Sequence, residues 1–191
     1  MLLKKMNDKT RQAQSGATLI EVLVAVVILA FGLLSLGGML SFAVQMPKLS
    51  AYRATATNLA ASYVERIRAN PNAFVNGSYA VGLNETSDWS FADIALSDCN
   101  YSSCTETTLA TMDVAAVRRA VRRQLPAGDM IMKCDPNPCV QNGSGDLWII
   151  WQEPSTFAAL DPGTSDNCPT EATAIYTNPA PRCLYVRFRV E

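Results

Sequence analysis

The chain has 191 residues, with 16 Lys and Arg against 17 Asp and Glu, and no histidine. The missing histidine excludes His-based triads and His metal sites, and a near-neutral charge argues against a general nucleic-acid binder. The length allows one soluble domain of ordinary size beside an apolar amino-terminal segment.

Lys4, Lys5, Lys9 and Arg11, with Asp8 as the one acid among them, precede a long apolar run. Val22 to Val44 holds no charge, and at about 1.5 Å per helical residue it spans roughly 35 Å, against about 30 Å for a hydrocarbon core. Cations at a membrane end stay cytoplasmic, so the amino end is expected inside and the rest outside. Glu21 stands just inside the front edge of the run. A midplane acid costs about 2.5–3.5 kcal/mol, and each Leu, Ile, Val or Phe returns roughly 0.3–0.6 kcal/mol, so the segment inserts regardless. An acid kept there against that cost is a functional candidate. Ser41-Phe42-Ala43 offers a small-x-small site for an ordinary secretory signal, but the apolar run is longer than the usual 7–15 residues of such signals.

A short basic leader ending in Gly16, then Ala17-Thr18-Leu19-Ile20-Glu21-Val22-Leu23-Val24-Ala25, resembles the class III signal of type IV prepilins and type II secretion pseudopilins. The resemblance implies cleavage between Gly16 and Ala17 by prepilin peptidase, methylation of the Ala17 amine, and a role for Glu21 in filament assembly. Ala17 departs from the phenylalanine usual in major pilins, and Gly37-Gly38 stands about where many of them carry a proline. Cleavage would remove four of the 16 cations and one of the 17 acids, leaving 12 and 16, a side-chain balance of −4.

Pro47 predicts a bend or short break, because proline removes one helical hydrogen bond at a cost of about 3 kcal/mol. Beyond it Tyr52, Ala56, Leu59, Ala60, Tyr63, Val64 and Ile67 recur at helical spacing, which predicts an amphipathic helix packing one face on the soluble domain. Asn70-Pro71 ends it, since a residue before proline avoids the α region. The stretch Leu59 to Gly82, with Arg66-Ile67-Arg68-Ala69-Asn70-Pro71 and then Gly77-Ser78-Tyr79, resembles the PilV-type minor pilins, the type IV pilus modification proteins. A plain helix stop is the competing reading of the same residues.

Residues 83–108, rich in Ser, Thr, Asn and Asp and carrying Trp89 and Phe91, read as loop. A second helix begins between Thr105 and Asp113 and ends at Leu125, with Leu109, Met112, Ala116, Val117, Val121 and Leu125 apolar and Pro126-Ala127-Gly128 as its stop. Arg118, Arg119, Arg122 and Arg123 form a compact basic face on it. The plainer reading is a solvated face near the negative end of the helix dipole, and the sharper one is contact with an acidic partner, lipid headgroups or DNA. Strands follow at Met130–Lys133 and Leu147–Gln152, and a half-buried one where Leu184, Val186, Phe188 and Val190 alternate with polar residues. Between them Asp161, Asp166 and Asn167 read as a turn rather than a calcium loop, because the EF-hand spacing is missing.

Cys99, Cys104, Cys134, Cys139, Cys168 and Cys183 lie outside the apolar run, an even count on the expected periplasmic side, and so read as disulfides. Six cysteines allow 15 pairings. The short spacings favour Cys99 with Cys104 and Cys134 with Cys139, which leaves Cys168 with Cys183.

The expected architecture is α+β and pilin-like: a long amino-terminal helix on a small antiparallel sheet with a second helix. It divides into a leader at 1–16, a transmembrane and assembly helix at 17–46, an amphipathic stalk at 47–70 and a periplasmic globular domain at 71–191. No catalytic constellation is present, so the chain reads as an assembly protein without metal or cofactor. The resemblance implies a minor pilin that primes pilus assembly near the tip. Its partners would be prepilin peptidase, other minor pilins, the major pilin and the inner-membrane assembly platform. A single-pass inner-membrane location before incorporation into the pilus is implied as well. A type II secretion pseudopilin shares the first motif, and a DNA-uptake minor pilin would rest on the four arginines alone.

Overall fold

The structure is a computed structural model that describes residues 16–83, 94, 99, 103–154, 166–177 and 179–191. The cationic leader, Trp89, Phe91 and Asp161 lie outside the described residues. The elements in chain order are α1 (Leu19–Ala69), α2 (Pro71–Val75), α3 (Glu106–Gln124), β1 (Asp129–Asp135), β2 (Ser144–Gln152), α4 (Thr170–Ile175) and β3 (Pro181–Arg189). The chain divides into two compact units between Val44 and Gln45.

In the first unit α1 begins at Leu19, and every side chain from 16 to 44 is exposed. Leu34 and Phe31 are 72% and 69% exposed, a state that a helix apolar on all sides keeps only where lipid or other helices cover it. Among the described residues α1 is the one helix long and apolar enough to cross a membrane. Of the bend or short break expected at Pro47, the break does not occur, since α1 runs through it without interruption. One missing hydrogen bond is a local loss. The buried Leu49 and the apolar face after it hold the chain helical on that side.

The second unit is built on that face. Leu49, Ala56, Leu59, Ala60, Tyr63, Val64 and Ile67 are buried, at the three- and four-residue steps that place side chains on one side of a helix. From Ala56 onward they join one core with Val117 and Val121 of α3 and with Met130, Met132, Leu147, Ile149 and Trp151 of the sheet. The sheet is antiparallel in the order β1-β2-β3, with Met132 opposite Leu147 and Leu147 opposite Val186. Val81 extends it by one bridge to Met132, exchanging both backbone hydrogen bonds at 3.0 and 2.9 Å. Gly145 lies opposite Phe188, whose ring covers it so closely that a Cβ there would stand 2.4 Å from Cζ.

The second face of the sheet has its own apolar cover. Ile131, Ile150, Ala172, Tyr176 and Cys183 form a smaller core in which α4 lies over the strands. Just beyond Asp166 and Asn167, which are not helical, the chain forms a helix of six residues that the sequence reading did not expect. Its backbone starts at Pro169 with no side-chain cap, and burial of Ala172 and Tyr176 holds it in place.

Helix α3 spans the expected range and opens on a capping box. Thr105 Oγ1 accepts from Thr108 N at 3.2 Å, and Thr105 N donates to Thr108 Oγ1 at 2.8 Å. Its buried side differs from the expected one. Ala110, Asp113, Val117 and Val121 face inward, while Leu109 is 42% exposed. A carboxylate occupies the inward row because Arg66 of α1 and Tyr79 of the chain after α2 meet it there.

Candidate functional site

Gly16, Ala17 and Thr18 precede α1 as exposed, non-helical chain. Thr18 O accepts from Glu21 N and Val22 N at 3.0 and 3.2 Å and so starts the helix. Glu21 falls in the first turn, where the unpaired N–H groups favour a negative charge. It is exposed, as are Gly32, Gly37 and Gly38, and a Cβ at any of the three glycines would meet nothing within 4 Å. The first unit thus offers an accessible Gly16–Ala17 bond, an accessible acid and a smooth apolar surface.

The residues of the Arg-Ala-Asn-Pro motif converge on α3. Arg66 Nη1 lies 2.5 Å from Asp113 Oδ1, and Tyr79 Oη donates to Asp113 Oδ2 at 2.9 Å. Tyr63 Oη donates to the Tyr79 carbonyl at 2.7 Å, and the two rings meet edge to face with centroids 5.9 Å apart. Asn70 Nδ2 donates to the Glu106 carbonyl at 2.9 Å, and Asn72 Nδ2 to Glu106 Oε1 at 2.8 Å. Pro71 stands at the first turn of α2, and Gly77 takes the left-handed φ of 73° that turns the chain back toward Tyr79. The motif is more than a helix stop: it ties the end of α1 to the start and middle of α3. Burial raises the Tyr63 phenol above its ordinary range, with Tyr79 and Asp113 adding to it. Burial, then the bond to Asp113, pushes Tyr79 up to about 12.

The four arginines of α3 do not share one open surface. Arg118 Nε and Nη2 donate to Asp129 Oδ1 and Oδ2 at 2.7 and 2.9 Å, and Arg122 Nη2 lies 3.5 Å from the same carboxylate. The Asp129 side chain is 3% exposed, and the arginines are 15% and 23% exposed. The i, i+4 pair therefore turns inward to a strand acid that sequence reasoning passed over. Arg119 is half-buried and Arg123 exposed. The plainer expectation of one solvated face of four cations therefore fails for Arg118 and Arg122, which join an ion cluster with Asp129.

A second charged group went unread in the sequence. Arg182 Nε donates to Glu153 Oε2 at 3.0 Å with both side chains about 5% exposed. Trp151 Nε1 donates to Glu153 Oε1 at 3.3 Å, and Asp166 Oδ2 accepts from Arg182 Nη1 and Cys183 N at 3.4 and 3.3 Å. Arg53 of α1 reaches Asp166 Oδ1 at 3.8 Å. Asp166, considered for a calcium loop, is thus engaged by arginines. Cys99 and Cys104, Cys134 and Cys139, and Cys168 and Cys183 are joined in pairs, with Cα separations of 5.2, 5.0 and 5.2 Å.

The model of a prokaryotic N-terminal methylation motif matches residues 11–37, and that of the family described as Type IV pilin Tt1218 matches residues 41–115. Over that stretch the chain is similar to the type IV pilins, and its amino-terminal segment carries their methylation motif. No curated protein and no solved structure matches it. Between them the two models cover the accessible amino-terminal segment, α1 apart from residues 38–40, α2 and the first part of α3. The family is structural rather than enzymatic. The methylation motif implies processing of the chain by prepilin peptidase and assembly with pilin components.

Proposed function

We propose that this chain is a minor subunit of the PilV type that primes assembly of the type IV pilus near its tip. The observation that carries the reading is the accessible Gly16-to-Glu21 segment at the head of an uncharged, fully exposed helix. Peptidase cleaves after Gly16, and the Ala17 amine, then methylated, becomes the new terminus. In the bilayer the apolar helix is solvated by lipid. On leaving it, the helix needs an equally apolar place, which a bundle of related helices supplies. Gly32, Gly37, Gly38 and Ser41 let neighbouring helices approach closely. Glu21 meets the Ala17 amine of a neighbouring subunit there. An unpaired charge in such surroundings costs several kcal/mol, so the pairing selects one axial register. The domain built on the second half of α1 stands on the periplasmic side and then on the pilus surface. The Arg66, Asn70 and Tyr79 clasp supports the PilV-type assignment, since these motif residues act together.

The test is piliation of cells that carry Glu21→Gln in place of the native residue. The variant is expected to insert and be processed, yet be missing from sheared pili, with surface pili reduced as in a strain without the protein. In wild-type pili the chain should be a trace component. Normal piliation with Glu21→Gln, or this chain as the bulk subunit, would contradict the proposal.

A further inference from the structure

Four segments meet at the carboxyl end of α1 and leave a cavity of about 450 Å³ between α2, the first turn of α3, the chain before β2 and the residues after β3. Its polar lining consists of the carboxamides of Asn72, Asn76, Gln141 and Asn142 and the carboxylates of Glu106 and Glu191. Among the described residues no lysine or arginine lines it. Phe74, fully buried, and Val190 give it an apolar floor.

We infer that this cavity binds a neutral, hydroxyl-rich ligand of one or two sugar rings. Its size falls within the roughly 300–1,000 Å³ of small-ligand sites and is too small for a folded partner. Each carboxamide both donates and accepts, and so does each hydroxyl, so the two match without a change of protonation. Anionic ligands are disfavoured by the two carboxylates, with no lysine or arginine among the described lining residues. A wholly apolar ligand would strand the amides without partners, which costs about 1–3 kcal/mol for each group left buried. Asn72 already holds Glu106 Oε1 at 2.8 Å, which fixes that carboxylate as an acceptor and lowers its call for a cation. The segments that form the walls are fixed independently. Gly143 N donates to the Val140 carbonyl at 3.0 Å, Val190 N to the Gly143 carbonyl at 3.2 Å and Arg189 Nε to the Asn142 carbonyl at 3.1 Å. The cavity is therefore shaped before any ligand arrives. On a pilus subunit such a site would hold surface or matrix glycans.

The experiment is saturation-transfer NMR on the full mature chain in lipid nanodiscs, with empty nanodiscs as reference. The probes are a panel of neutral hexoses and N-acetylhexosamines, with spermidine as a cationic probe. At least one neutral sugar should show saturation that falls about tenfold with Gln141→Ala, and similarly with Gln141→Glu, which keeps the shape and removes the donor. Absence of saturation in every sugar overturns the inference. So does saturation undiminished in both variants, or binding of spermidine in place of sugars.

Discussion

Asp129 shows how a charge can be buried at tolerable cost. Its two oxygens take two hydrogen bonds from Arg118, with Arg122 3.5 Å away as a second cation. Removing one partner from a buried pair strands the other and costs about 3–5 kcal/mol. Arg118→Ala should therefore destabilise by about 3 kcal/mol, the low end of that range because Arg122 remains. Arg123→Ala, at an exposed position, should change stability by less than about 1 kcal/mol. Urea unfolding followed by tryptophan fluorescence of the reconstituted chain separates the two, and equal effects would restore the reading of one solvated face. Tyr79 gives a second test at this scale. Its phenol titrates near 10.0 when unfolded and about 12 when folded. Between those values the unfolded chain binds fewer protons than the folded one, so stability is complete below pH 10 and falls as pH rises toward 12. Burial of Tyr63 acts in the same direction. Tyr79→Phe should flatten the alkaline loss, and an unchanged slope would remove Tyr79 from its cause.

At the scale of elements, periodicity carries far where an element has a long apolar face. The stripe from Ala56 to Ile67 on α1 and the alternation on β3 are both visible in the residues themselves, because packing repeats at a fixed step. The beginnings of β2 and the whole of α4 are not. Ser144 and Gly145 precede the strand expected at Leu147, and they pair in the sheet because the Phe188 ring from β3 covers the glycine. That is a contact across 43 positions of sequence with no local trace. Helix α4 has six residues and no side-chain cap, and the sheet face beneath it decides its form. The inward row of α3 was misread for a related reason: Asp113 is polar by composition and buried by its partners Tyr79 and Arg66, 34 and 47 residues away. The partners of Asp129 and Glu153 were likewise out of reach of spacing rules. Gly145→Ala tests the packing directly. With Cζ 2.4 Å from the new Cβ, the Phe188 ring must move, at a cost of about 1–3 kcal/mol. Unchanged unfolding in that variant would show that the ring yields freely. The joined cysteines lead to a further expectation: alkylation under non-reducing denaturing conditions should label none of the six. Labelling of two or more in protein from the native envelope would contradict it.

On the scale of the whole molecule, one chain combines two solvents' requirements. Residues 16–44 expose every side chain, and the second unit buries its own core. The first stretch is made for lipid or a helix bundle, and it carries an acid that neither needs for stability. The short sequence from Gly16 to Glu21 is legible as a motif because its signal lies in adjacent residues, a glycine and an acid five positions on, within the stretch that the methylation-motif model matches. A secretory signal and a pilin signal make opposite demands on the same apolar run: the first discards it and the second keeps it. Intact-mass measurement of the mature protein from envelope fractions distinguishes them. The account predicts a chain that begins at Ala17, carries one added methyl group and retains Val22 to Val44. A chain that begins near Val44, with the apolar run removed, would contradict it.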